Sequence, residues 1–105
     1  RSIMEVLVEA NDAVGFSEIY IVCGRTDLRY GIDSLARLLR FLGIENPATA
    51  GTLYLFCGRR SDRIKGLVWE GDGFLILYKE LANGSVQWPR NASEVKSLTP
   101  GYPSS

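Results

Sequence analysis

Asp62-Arg63-Ile64-Lys65-Gly66-Leu67-Val68-Trp69-Glu70-Gly71-Asp72-Gly73-Phe74 sets the architecture of this chain. Ile64 to Trp69 is a β-rich apolar run. Glu70-Gly71-Asp72-Gly73 behind it is a tight-turn signal, because Gly and Asp accept positive φ. Phe74 to Leu81 is a second β-rich run, so the pair predicts an antiparallel hairpin. The same stretch sets cations beside aromatic rings, which suits a surface that meets polyanions: charge supplies attraction and rings supply stacking area.

Before this hairpin, Thr52 to Cys57 reads as a strand and Gly58 to Asp62 as a basic turn. After it, Asn83-Gly84 is a further hairpin signal, leading to a strand over Ser85 to Trp88 that stops at Pro89. Upstream, Glu18 to Cys23 is apolar on both faces and reads as a strand. Ile32, Leu35, Ala36, Leu39 and Leu42 form one helical stripe with Arg37 and Arg40 off it, and Gly43 suits the helix end. Ile3 to Val14 has helical periodicity. The expected class is α+β: strand, helix, then an antiparallel β-meander of about four strands, in a single compact domain. Residues 16–90 form its core, 1–15 an N-terminal helix or extension, and 91–105 an irregular polar tail.

The 105 residues carry 12 basic and 12 acidic side chains, so net charge is zero and only a local patch can favour nucleic acid. Two cysteines, Cys23 and Cys57, with no histidine exclude a Cys/His zinc site within one chain and a histidine-activated nucleophile. The cysteines read as buried, reduced thiols. No apolar run reaches the ~20 residues of a membrane helix. The N-terminus lacks the pattern of a secretion signal, so a cytoplasmic location is expected.

The candidate DNA-binding residues are Arg59, Arg60, Arg63 and Lys65, a cluster that contains one acid, Asp62. Arg29, Lys79 and Arg90 join them if the fold brings them near. The competing reading is a solvated hairpin turn. Trp69 and Trp88 are candidate stacking or partner contacts, Trp88 above all because Pro89 and Arg90 follow it; the competing reading puts the aromatics in the core. Asp27, Asp33, Asp62, Glu70 and Asp72 match no catalytic carboxylate spacing and read as turn and cap residues. Gly71-Asp72-Gly73 joins two strands and opens no helix, so it is no phosphate loop. Neither a catalytic set nor a cofactor site is expected. Cys23-Gly24-Arg25 and Cys57-Gly58-Arg59 each end a strand ahead of an Asp-x-Arg, an echo short enough to arise by chance.

Several stretches together resemble one family. They are a strand from Ile19 ending in Cys23-Gly24, then Thr26-Asp27-Leu28-Arg29 and Gly31-Ile32-Asp33-Ser34-Leu35-Ala36. Leu53-Tyr54-Leu55-Phe56, Arg59-Arg60-Ser61-Asp62-Arg63-Ile64-Lys65 and Trp69-Glu70-Gly71-Asp72-Gly73-Phe74 follow in order. Tyr78-Lys79, Leu81, Asn83-Gly84 and Gln87-Trp88-Pro89 close the match. The pattern is similar to the TnpB accessory proteins, products of the second open reading frame of insertion-sequence 66 transposons. Members commonly carry Lys where this chain has Tyr30 and Arg where it has Glu80, and both departures remove positive charge. The resemblance implies a non-enzymatic accessory role in bacterial DNA transposition, beside a separate transposase that performs the strand chemistry. Its implied partners are transposon-end DNA, that transposase, or both; the alternative is a protein adaptor without DNA contact.

Overall fold

The computed structural model describes residues 16–89 and 95–97. Its elements are β1 (Glu18–Val22), α1 (Ile32–Phe41), β2 (Thr52–Cys57), β3 (Arg63–Trp69), β4 (Phe74–Glu80) and β5 (Val95–Ser97). They build one sheet in the order β4-β3-β2-β1-β5. β2 is its centre, and all six of its residues are buried, as a run apolar on both faces requires. The helical signal over 3–14 lies outside the described residues.

The α+β class holds, and the hairpin expected over residues 62–74 forms as read. Its turn closes with the Glu70 N–H donating to the Gly73 carbonyl at 2.8 Å, and Gly71 takes a φ of 95°. β1 runs parallel to β2, because α1 carries the chain back across one face between them. α1 buries Leu35, Ala36 and Leu39 and turns Arg37 and Arg40 outward. Asp33 in its first turn and Arg40 in its last both complement the helix dipole.

Two readings of the C-terminal third change. Residues 85–88 form no fourth meander strand. The stretch crosses under the sheet face opposite α1, where Leu81, Val86 and Trp88 cover Ile19, Ile21, Leu53, Leu55 and Ile64. A further strand beyond β4 would have left that face open to water, so the apolar residues go to covering it. β5 lies inside the stretch read as an irregular tail and pairs antiparallel with β1 on the far edge.

The α1 side holds the second core, with Val22, Leu35, Leu39, Tyr54, Phe56 and Leu67. The register puts Phe56, Lys65 and Tyr78 in one row across that face, and Arg63 and Glu80 in the next row. α1 covers the apolar part of the face, Phe56 included, while Arg63, Lys65, Tyr78 and Glu80 stay partly or fully exposed.

A basic cleft at the ends of the parallel strands

β1 and β2 end side by side, and the loops that follow them, with the starts of β3 and β4, enclose a cleft of about 880 Å³. Arg25, Thr26, Asp27, Leu28 and Arg29 come from the first loop, and Gly58, Arg59, Arg60 and Asp62 from the second. Arg63, Lys65 and Tyr78 line the sheet side. Six cations therefore face two carboxylates in a chain of zero net charge. In open α/β sheets, crevices beyond the carboxyl ends of parallel strands are where ligands bind.

The strand register explains why the loops meet. Glu18 pairs with Thr52, an offset of 34 residues, and the same 34 residues separate Cys23 from Cys57. The two Cys-Gly-Arg runs thus leave the sheet next to each other, and Arg25 and Arg59 line the cleft from one lip each. The two echoing runs frame the cleft. The loops are also joined directly: the Thr26 N–H donates to the Cys57 carbonyl at 2.9 Å. A Cβ on Gly58 would lie 2.9 Å from Leu28 Cδ1, so the first loop leans on the second where there is no side chain.

The cations differ in what they are doing. Arg29 grips Asp27 with two parallel bonds, Nε to Oδ1 at 3.0 Å and Nη2 to Oδ2 at 2.8 Å, while Asp27 Oδ1 also accepts from the Arg29 backbone N–H. These side-chain and backbone bonds from Arg29 hold the Asp27 carboxyl down to about 2. Lys65 donates to the carbonyls of Leu28 at 2.6 Å and Tyr30 at 3.0 Å, pinning the first loop to the sheet. Arg60 and Arg63 flank Asp62 at 3.9 and 4.0 Å, and Arg63 also lies 3.6 Å from Glu80. Arg25 and Arg59 have no carboxylate within ion-pair distance among the described residues. Both are exposed. Thr26 Oγ1, Asp62 Oδ1 and Arg63 Nε, all beside the cleft, are buried with no hydrogen-bond partner among the described residues. Asp62 Oδ1 and Arg63 Nε are nonetheless each other's ion-pair partner at 4.0 Å.

Of the residues singled out from sequence, Arg29, Arg59, Arg60, Arg63 and Lys65 come together here. Lys79 does not: it pairs with Ile64, so the two-residue period places it on the opposite sheet face. Trp69 shares the cleft's face but lies four residues along β3 from Lys65, about 13 Å away. There it packs edge-on against Phe74 at 5.0 Å. Trp88 is corrected outright as a stacking surface. It is 7% exposed, and its indole N–H donates to the Val22 carbonyl at 2.9 Å. Its neighbour Arg90 lies outside the described residues. Sequence reasoning passed over Arg25 as a site residue, for which the repeated Cys-Gly-Arg was the available signal; Tyr78, read from sequence with Trp69 and Trp88 as either a stacking or a core aromatic, is 53% exposed on the cleft wall.

Residues 17–102 match the family model described as IS66 Orf2 like protein. The chain belongs to the IS66 Orf2-like family. Membership carries a transposition-accessory role. The chain is similar to two proteins of Sinorhizobium fredii. It is 30% identical over 82 residues to uncharacterized protein y4hO, covering 78% of this chain and 70% of that one. It is 27% identical over 71 residues to uncharacterized protein y4jC, covering 68% of this chain and 60% of that one. No solved structure matches the chain. Among the described residues of this IS66 Orf2-like chain, no helix is long and apolar enough to cross a membrane. Both cysteines are buried thiols.

Proposed function

We propose that this family member serves transposition by binding the DNA of its element through the cleft between the two Cys-Gly-Arg loops. One observation carries the reading: Arg25 and Arg59, in the loops that follow two neighbouring parallel strands, line one cleft as exposed cations without a carboxylate partner among the described residues. Fixed cations of this kind replace condensed counterions on a phosphate backbone. Arg29, Arg60 and Arg63 add to the local potential while their carboxylates hold them in place, and Lys65 shapes the lip.

The test is binding of the purified protein to the terminal inverted repeats of its own element, against scrambled DNA, over a salt series. Binding should weaken steeply with salt. The double change Arg25→Ala and Arg59→Ala should flatten the slope by about 0.9 for each phosphate that is no longer neutralised. An unchanged slope would remove the cleft from DNA binding.

A second reading is a protein adaptor that acts through the transposase alone. It is favoured by the prior engagement of the other four cleft cations, with Asp27, Asp62, Glu80 and backbone carbonyls. A complex with the transposase that forms without DNA and is indifferent to added DNA would support it.

A further inference from the structure

We infer that the cleft receives an unpaired DNA strand, with Arg25 and Arg59 on its phosphates and the Tyr78 ring against a base. This deepens the DNA-binding reading and rests on it. Three observations carry it beyond attraction to a backbone.

The first is shape. A space of about 880 Å³ between two loops is a recess with walls. Sites of about 300–1,000 Å³ enclose small molecules, so this one is nucleotide-sized.

The second is the ring. Tyr78 lies on the wall of the cleft and is half exposed, one strand away from Lys65 in the register. The ring–ring contacts among the described residues are Tyr20 with Tyr54 and Trp69 with Phe74, so no aromatic neighbour covers it. In a duplex the base faces are stacked on one another. An aromatic face inside a basic recess can meet a base only where the strand is unpaired.

The third is the division of labour among the cations. Arg29 and Lys65 are held by Asp27 and by the carbonyls of Leu28 and Tyr30, which fixes the lip on the first side. Arg25 and Arg59 remain, one on each lip, about one strand spacing of 4.8 Å apart where their chains leave the sheet. That pair brackets a single line of phosphates. Strand-tracking sites combine these parts, a cationic groove and a stacking ring.

The experiment compares a single-stranded oligonucleotide of about 12 nucleotides, the blunt duplex of the same sequence, and the single strand made abasic throughout. Each is titrated against wild type, Tyr78→Ala and Tyr78→Phe, with circular dichroism to confirm that the exposed substitutions leave the fold intact. The single strand should bind about tenfold or more tighter than the duplex. Tyr78→Ala should erase most of that preference and leave the abasic strand unaffected, and Tyr78→Phe should retain it. Equal or tighter duplex binding, unmoved by Tyr78→Ala, would overturn the inference and leave the DNA reading standing. A weakening of abasic-strand binding in Tyr78→Ala equal to that for the normal strand would overturn the stacking role. No binding to any of the three at low salt would bring down the DNA reading and this inference together.

Discussion

The two Cys-Gly-Arg runs at the ends of β1 and β2 lead into loops that are held differently. The first has main-chain bonds at its base, from the Gly24 and Thr26 N–H groups to the Pro89 and Cys57 carbonyls, and its outer part is fixed by side chains: Asp27 clasps Arg29, and Lys65 reaches over from β3 to two of its carbonyls. The second is fixed by its backbone. Ser61 sits at a positive φ of 61°, and the carbonyls of Ser61 and Asp62 accept from the N–H groups of Val86 and Leu81 at 2.7 Å each. Its ion pairs around Asp62 are long by comparison, at 3.9 and 4.0 Å. The second lip is thus tied to the core by main chain, and the outer part of the first is tied by charged groups. Backbone ties ignore salt and pH, and charge ties do not, so the first lip should be the adjustable one.

The largest effect comes from striking the foundation under both loops. Trp88 fills the core beneath the sheet and anchors to Val22, and the adjacent Pro89 carbonyl accepts from the Gly24 N–H at 2.8 Å. Trp88→Ala should lower unfolding free energy in urea by about 3–5 kcal/mol, the cost of emptying an aromatic site in a core. A loss below about 1 kcal/mol would mean that the segment is not seated under the sheet as described.

Lys65→Met separates the lips. It keeps most of the buried stem and removes two charge-assisted bonds, for a loss of about 2 kcal/mol. Amide exchange should rise over residues 26–30 and stay unchanged over residues 58–62. Faster exchange in both loops would show that the lips are not independently held.

Gly58→Ala tests how the lips touch. The new Cβ would meet Leu28 Cδ1 at 2.9 Å, and since that atom ends a flexible side chain the loss should be about 1 kcal/mol. The first loop should move, and binding in the cleft should change more than stability does. Gly24, its counterpart, is glycine for another reason: it takes a φ of 83°, where a Cβ is strained.

The smallest effect is the pH response of the first lip. Asp27 is depressed in the folded chain to about 2, against about 3.9 when unfolded. Its tie to Arg29 is complete above the unfolded value and is lost as pH falls through about 2. A carboxyl-carbon NMR titration should give Asp27 a midpoint near 2, and Arg29→Gln should return it toward about 3.9. A midpoint that ignores Arg29→Gln would mean that another group holds the carboxylate.

Much of the fold was legible because its signals are local. The β3–β4 hairpin followed from Gly71 and Gly73 between two β-rich runs, and α1 from Leu35, Ala36 and Leu39 at helical spacing. The site was half legible. The cluster Arg59, Arg60, Arg63 and Lys65 is contiguous, so its presence in one place follows from chain connectivity. Arg25 and Tyr78 were not, since each lies far along the chain from that cluster and reaches it only through strand pairing. Ser85 to Trp88 misled because alternating apolar residues after an Asn-Gly turn fit both a strand and a cover for a sheet face. Only the need to bury that face separates the two.

Residue identity and spacings within a few turns of chain were enough for the element types, the zero net charge, the absence of histidine chemistry and the family. The three-dimensional arrangement was needed to show that β1 and β2 run parallel with an offset of 34 residues. From that one register comes the meeting of the two Cys-Gly-Arg loops, with Arg25 and Arg59 on one cleft; the β3–β4 pairing brings Tyr78 to it, and packing under the sheet takes Trp88 into the core. Register is a long-range quantity. It is set by which faces of distant strands must be buried together, and no local stretch of sequence carries that information.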